Sequence, residues 1–475
     1  MSEQPKRNPI TNQTADSEAA LREQVESKAI GFVTAETEST EAGNYFVANY
    51  PPFSFWAPSY NQSVDQLLDA PPQDPSVPLG VYYHIPFCRK RCHFCYFRVY
   101  TDKNADEIRT YIDSSMRELE YYASKPYVAG RKPEYIYFGG GTPSYLSPSQ
   151  LIDLTDKMKA VLPWDEAREI AFECEPGTLN EKKLQTLRDI GITRLSLGIE
   201  SFDDHVLELN GRAHRSGEVD RAYNFARDIG FPQINIDLIA GMMDETEDNW
   251  FRSVDKAIEF APEMVTIYQM EIPYNTAIYR EMKDAGKTSA PVADWATKRR
   301  WVSEAFDRFV AAGYTVTSAY TVVKNPEKYD FVYRDALFGG ADLLPIGVAS
   351  FGHVGGIHLQ NQHNIEPYVD QVVGTPEAAG QGRGLFRSYV TDPEERFVRE
   401  FVLRMKLGSV DCGEYRAKFG IDPSEFFAKQ LAQMVADGFA QIDGDIITVT
   451  RDGLLQIDRT MHGFFLERHR GARYA

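Results

Sequence analysis

The stretch VYYHIPFCRKRCHFCYF, residues 81–97, joins a β-branched and aromatic run to a loop that carries three cysteines. The run reads as a strand. Cys88, Cys92 and Cys95 follow it at spacings of four and then three residues, and three soft thiolates in one short loop point to a metal centre. Working outward, YIYFGG, IAFECEP, RLSLGIES, INIDLIAG and VTIYQMEI repeat the strand pattern, each followed by helical periodicity. In the first of these helices Ile108, Tyr111, Ile112, Met116 and Leu119 share one face. Gly191 and Gly230 end two others, in LRDIGI and ARDIGF, where glycine readily takes the left-handed cap conformation. Alternating strand and helix predicts an α/β fold with a parallel sheet and right-handed crossovers, and six units suit a partial (βα)6 barrel.

The 475 residues carry 51 Lys and Arg against 69 Asp and Glu, a net charge of −18. Such an acidic excess opposes binding to a phosphate backbone, so no nucleic-acid partner is expected. Neither a membrane span nor an apolar leader is visible, and a cytoplasmic protein is expected. Five cysteines, three of them within eight residues, do not make a secreted disulfide scaffold. Residues 1–44 read as a disordered tail with a short helix around Leu21. Residues 45–78 open with YFVANYPPFSFWAP, too apolar for solvent and too irregular for a regular element, and are expected to form an arm packed across the main domain. The barrel is expected over 79–320, and a loop-rich connector closing the active site over 321–391. Residues 392–475 read as a helical, winged-helix-like domain. There Phe427, Leu431, Met434 and Val435 are placed on one face, and Asp443 and Gly444 turn a hairpin. The acidic balance makes this domain a structural part or lid rather than a DNA reader.

Two metal readings follow from the cysteines alone. One is zinc, with His84, His93 or Cys174 as the fourth ligand. The other is an iron–sulfur cubane held by three thiolates, which leaves one iron open to bind a small molecule. Gly139 to Thr142, Glu173, Glu200 and Asp237 all fall near the C-terminal ends of predicted strands, the face where barrels place active sites. Glycines there let backbone amides approach a ligand, or simply make a tight turn. Glu173 and Asp237 are acceptors suited to amino and hydroxyl groups, and Arg212 suits a carboxylate; a structural ion pair among them is the plainer alternative. Cys174 and Cys412 read as buried thiols.

Cys-x3-Cys-x2-Cys after the first strand of a βα barrel resembles the radical S-adenosylmethionine enzymes. Within that superfamily YYHIPFCRKRC, YFGGGTPS, FECEP, RLSLGIESF, LNGRAHR and INIDLIAG, in this order, are similar to the oxygen-independent coproporphyrinogen III dehydrogenase family and its heme-chaperone branch. The resemblance implies a [4Fe-4S] cluster on Cys88, Cys92 and Cys95. It also implies one or two molecules of S-adenosylmethionine, chelated by the open iron and cleaved to a radical that abstracts hydrogen. It carries Tyr82, Gly140, Gly141, Thr142, Glu173, Arg212 and Asp237 over as cofactor-binding residues and assigns no catalytic residue. Glu200 stands at another such position, where relatives usually have Gln; its carboxyl replaces the amide donor only when protonated. Phe97 stands where the dehydrogenase commonly has a fourth cysteine and the chaperone branch a phenylalanine. The long arm, in contrast, resembles the dehydrogenase. No HNRRYW-like heme motif is present, and His358 and His363 in IHLQNQHNIEPY read as ordinary polar residues.

The implied partners are a tetrapyrrole-like substrate and an electron donor such as a flavodoxin or ferredoxin. Arg89, Lys90, Arg91 and Arg98 around the cysteine loop are cations for the carboxylates of such a substrate, or a solvated charged loop. The leading expectation is oxidative decarboxylation of porphyrinogen propionates. A heme chaperone, a radical methyltransferase or heme-modifying enzyme, and a zinc-stabilised non-enzymatic protein are the alternatives.

Overall fold

The computed structural model describes residues 39–43, 45–287, 291–375 and 378–471. The helix expected around Leu21 lies outside them. Six strands, β1 (Leu79–Ile85), β2 (Pro133–Gly140), β3 (Glu169–Cys174), β4 (Arg194–Glu200), β5 (Gln233–Ala240) and β6 (Met264–Gln269), pair in parallel in chain order. Helices connect them, so the expected six-unit partial barrel is present. The helix Ala105–Ser124 starts at an Asn104 capping box closed by Glu107, and Pro148–Val161 at a Ser147 box closed by Gln150. The face read from Ile108 to Leu119 is buried against the sheet, and Gly230 ends its helix with φ 80°.

The stretch read as a loop-rich connector carries strands instead. β7 (Thr315–Val316) and β8 (Thr321–Val323) extend the sheet antiparallel beyond β6. β9 (Asp342–Ile346) pairs parallel with β1 on the other side. β10 (Phe351–Val354) and β11 (Ile357–Asn361) follow it antiparallel. β12 (Gly374–Thr375) and β13 (Ala378–Ala379) form a separate small ladder, and β14 (Leu385–Val390) closes the twelve-stranded sheet at its edge. Short strands buried on both faces show no alternation, and the glycines that turn them, such as Gly355 and Gly356 with positive φ, mimic a loop in sequence.

Residues of the aromatic stretch after Tyr45 pack against β11 and the C-terminal core. Trp56 stacks on the His358 ring at 4.9 Å and 5°. His358 Nε2 donates to the Tyr50 carbonyl at 2.9 Å, and its Nδ1 accepts from Asn49 at 3.2 Å. Its role is therefore structural. In the C-terminal part, the helices Pro393–Met405, Cys412–Phe419 and Ala428–Ala436 surround a separate core with β15 (Ser409–Asp411), β16 (Ala440–Asp443) and β17 (Ile446–Val449). Asp443 and Gly444 turn the expected hairpin. Val435, however, is 44% exposed: it lies one helical step beyond Met434, off the buried stripe.

Candidate active site at the barrel mouth

β1 delivers the chain into the cysteine loop, and backbone bonds close the loop at its base: Tyr100 N to Pro86 O at 2.8 Å and Cys88 N to Tyr100 O at 3.0 Å. Its tip is tied by His93 N to Asn210 O at 3.0 Å, and by Ala277 N and Ile278 N to His93 O. Arg89 adds a two-pronged clamp on Glu175, Nε to Oε2 at 3.1 Å and Nη2 to Oε1 at 3.0 Å. His214 Nδ1 meets the same carboxylate at 3.2 Å. Burial opposes the Glu175 charge, yet His214, Arg89 and Arg212 hold its pKa down to about 2. Glu175 and His214 lay inside the quoted motifs FECEP and LNGRAHR without being singled out; a second carboxylate after β3 was their only signal.

The Thr142 hydroxyl lies 3.3 Å from Cys88 Sγ, and Arg212 Nη1 lies 3.4 Å from Cys92 Sγ. Burial pushes the Cys88 thiol up to about 11 and the Cys95 thiol up to about 12, and the charge of Cys92 adds to both. Such thiols give up their protons when a cation takes their charge. Among the described residues, no three His, Cys, Asp or Glu side chains converge on a single-ion position. Each candidate fourth zinc ligand has a neighbour of its own. His84 Nδ1 bonds the Tyr82 hydroxyl at 3.1 Å, Cys174 points to Phe172 O, and the His93 ring packs on Gly211. Three thiols without a fourth donor fit a cluster with one open iron better than structural zinc.

The glycine run is explained by crowding. Gly140 has φ 119°, and its amide donates to Glu173 Oε2 at 3.1 Å. Gly141 N donates to Ile85 O and Thr142 N to Phe87 O, both at 2.8 Å. A Cβ on Gly141 would stand 2.8 Å from the Pro86 carbonyl carbon and 3.0 Å from Cys88 Sγ. These glycines thus let the turn after β2 lie directly on the cysteine loop.

Glu173 also accepts from the Tyr137 hydroxyl at 2.8 Å. Burial raises its pKa to about 7, and Asp237 adds to the rise. Asp237 lies within β5 rather than at its end, in register with Gly198. It accepts from Asn235 at 2.8 Å and Ser196 at 3.0 Å, and burial raises its pKa. Glu200 ends β4 at a bulge with φ 67°. Its carboxylate lies 3.5 Å from Arg212 Nη1, and burial raises its pKa to about 7 against the pull of that guanidinium. Near neutral pH a share of Glu200 is therefore protonated and able to donate as an amide would. Arg212 Nη2 donates to Gly198 O, while its buried Nε has no protein partner. His84 Nε2 is likewise buried and unpartnered, and burial pushes this imidazole down to about 4.

One cavity of about 1860 Å³ is lined by Cys88, Cys92, Cys95, Gly140, Gly141, Thr142, Glu173, Glu200, Arg212 and Asp237. Tyr82 is not among its lining residues and touches the site through His84. Arg89, Lys90 and Arg91 line the cavity; Arg98 does not, and lies over the Tyr100 ring. The volume exceeds the roughly 300–1,000 Å³ of a single small-ligand pocket.

Glu200 carries a pH prediction. Its folded pKa lies above the ordinary carboxyl value near 4.3, so between those values the folded state holds a proton that the unfolded chain has lost. Stability from this group falls as pH rises from about 4.5 through 7. The melting temperature of Glu200→Gln should gain on that of the native chain from pH 5 to pH 8, by an amount on the order of 1–3 kcal/mol in stability. A constant difference would exclude the shift.

Residues 82–257 match the family model described as the radical SAM superfamily, and residues 391–455 match that of the HemN C-terminal domain. The oxygen-independent coproporphyrinogen III oxidase of Escherichia coli (strain K12) is 27% identical over 405 residues, which cover 82% of this chain and 86% of that protein. The heme chaperone HemW of Bacillus subtilis (strain 168) is 26% identical over 393 residues, covering 82% and 99%. The solved structure of the Escherichia coli coproporphyrinogen III oxidase, described as a radical SAM enzyme, superposes with a TM-score of 0.75 at 25% identity, covering 90% of this chain and 99% of that one. The barrel and its cysteine loop define a radical SAM protein, with a [4Fe-4S] cluster and S-adenosylmethionine as its cofactors. Over most of its length the chain is similar to oxygen-independent coproporphyrinogen III oxidases and to their heme-chaperone relatives.

Proposed function

We propose that this protein is a radical S-adenosylmethionine oxidoreductase that decarboxylates propionate side chains of a porphyrinogen such as coproporphyrinogen III. The observation that carries the reading is the convergence of three thiols, the carboxyls of Glu173, Glu200 and Asp237, and Arg212 on one cavity large enough for a cofactor and a macrocycle together. When bound, the cluster and S-adenosylmethionine supply one-electron cleavage of a sulfonium and hence a radical able to take a hydrogen atom. Cys88, Cys92 and Cys95 would hold the cluster. Arg212, through its unpartnered Nε, would donate to the cofactor, and Glu173 and Asp237 would accept from its amino and ribose hydroxyl groups. Glu200, in its protonated form, would donate where relatives carry an amide. Gly140, Gly141 and Thr142 shape the wall, and Tyr82 acts by orienting His84. Loss of one hydrogen from the propionate, departure of carbon dioxide and transfer of one electron to an acceptor leave a vinyl group.

A flavodoxin or ferredoxin is the class of donor that this chemistry requires, and the reducing cytoplasm is its compartment. Anaerobic reconstitution with S-adenosylmethionine, reductant and coproporphyrinogen III should yield 5′-deoxyadenosine and decarboxylated product by mass spectrometry. Deoxyadenosine without decarboxylation would reject this substrate.

Heme binding is the second reading, favoured by Phe97, which is 41% exposed on the cavity wall. Both ring nitrogens of His358 are engaged by the arm, so that reading needs another axial ligand; a heme titration of the reconstituted protein separates the two.

A further inference from the structure

The corner of the cysteine loop that carries Cys92 is held from one side by consecutive residues of LNGRAHR. Asn210 O accepts from His93 N at 3.0 Å, Gly211 lies against the His93 ring, and Arg212 Nη1 reaches Cys92 Sγ at 3.4 Å. Gly211 has φ 76°, and a Cβ there would stand 2.7 Å from His93 Cδ2. From the other side Ala277 N and Ile278 N, at the start of the helix Ala277–Asp284, donate to His93 O at 3.0 and 3.2 Å. The amide and the carbonyl of His93 are therefore both bonded, each to a different part of the barrel.

What fixes Asn210 is its own side chain. The residue caps the C-terminus of the helix Asp204–Leu209 and is fully buried. Its Nδ2 donates to Val206 O at 2.8 Å and to Met243 O at 3.1 Å, while its Oδ1 accepts from Met243 N at 3.2 Å. A carboxamide holds donor and acceptor side by side, so it pairs with both backbone groups of Met243 as a neighbouring strand would. Met243 lies in the turn after β5, which Glu245 braces from within: its Oε2 accepts from Gly241 N at 2.7 Å and Met242 N at 3.2 Å. The Met243 side chain packs with Met270, Ile278 and Met282, and Phe94 of the cysteine loop lies against the same cluster. A continuous set of bonds thus runs from the end of β5 through the Met243 turn and Asn210 to His93, beside Cys92.

We propose that Asn210 is a positioning residue for the middle thiol: its side-chain amide sets the register between the Cys92 corner and the end of β5, and thereby the place of the cluster against the barrel mouth. Asn210 touches neither the thiol nor the cavity and acts through His93 and Arg212. Without the amide, the N–H and carbonyl of Met243 lose buried partners, and the turn shifts to find others, taking the backbone of Asn210 with it. Partners one step removed from a metal ligand orient it in this way. The proposal rests on Cys92 as a cluster ligand and on no choice of substrate.

The test compares the native full chain with Asn210→Ala and Asn210→Asp; the second keeps the size of the side chain but turns an acceptor toward Val206 O and Met243 O, and it carries the test where the alanine variant does not fold. Gly230→Ala, with φ 80° and nothing within 4 Å of the added Cβ, is the control for general destabilisation. Hydrogen exchange, followed by mass spectrometry, should quicken about tenfold in both Asn210 variants, the worth of one hydrogen bond. It should do so at His93 as well as at Met243, although the substitution removes no bond of His93 itself. Alkylation of Cys92 by iodoacetamide before reconstitution should quicken similarly, and after reconstitution the reduced cluster should give a shifted or broadened electron paramagnetic resonance signal. Gly230→Ala should match the native chain in all three. Faster exchange at Met243 alone, with His93, alkylation and the cluster signal unchanged, overturns the proposal, and so do equal changes in Gly230→Ala. A native chain that takes up no cluster overturns the ligand assignment on which the proposal rests.

Discussion

Cys92→Ala, reconstituted anaerobically beside the native chain, is expected to lose the cluster's visible absorption, its bound iron and sulfide, and all cleavage of S-adenosylmethionine. Cys92 is the middle thiol of the loop, and the other two gain part of their raised pKa from its charge. With one of three ligands gone and no fourth donor converging on the site among the described residues, nothing replaces it. The loss should exceed the roughly 10–100-fold that removing a ligand's hydrogen-bonding partner costs at metal sites. Folding should survive, because the loop is tied at its base and tip by backbone bonds and by the Arg89–Glu175 clamp, none of which needs the thiol. A Cys92→Ala protein that retains full iron and sulfide content would sink the ligand assignment.

Gly141→Ala is the second large effect, and it falls on a residue that ligates nothing. The added methyl would meet the Pro86 backbone at 2.8 Å and both Phe87 O and Cys88 Sγ at 3.0 Å. These are backbone atoms and a constrained sulfur, unable to swing aside, so the turn and the cysteine loop must separate. Overpacking of this kind costs about 1–3 kcal/mol, and here it displaces Cys88. The expected result is a protein with a lowered melting temperature and less cluster after reconstitution. Gly191→Ala is the control: its φ is 99°, but an added Cβ meets nothing within 4 Å. It should cost about 1 kcal/mol in backbone strain and leave cluster content untouched. Equal cluster loss in both variants would show that general destabilisation, not the contact with Cys88, is responsible.

The long strands with apolar cores and the helices with capping boxes and single apolar faces were legible because their signals are local: Ile108 to Leu119 mark one face at any level of description. The cysteine spacing and the order of the surrounding motifs were equally local. β9, β10, β11 and β14 were not legible. They are short, glycine-flanked and buried between neighbours, and only their pairing beside β1 reveals them as strands. Val435 was misplaced for a related reason, since its neighbour Met434 completes the stripe and nothing in sequence marks where burial stops.

By itself, the sequence determined that a parallel barrel carries a three-thiol loop after its first strand, because strand periodicity and ligand spacing are properties of adjacent residues. Tertiary structure alone decided that Gly141 exists to let two loops touch and that Glu175 joins Arg89 to His214. It alone decided that burial beside Arg212 sets the protonation of Glu200, and that arginines from Arg299 to Arg470 face the same cavity as the cysteines. Electrostatics and packing act through space across elements far apart in the chain, and no local pattern encodes those distances.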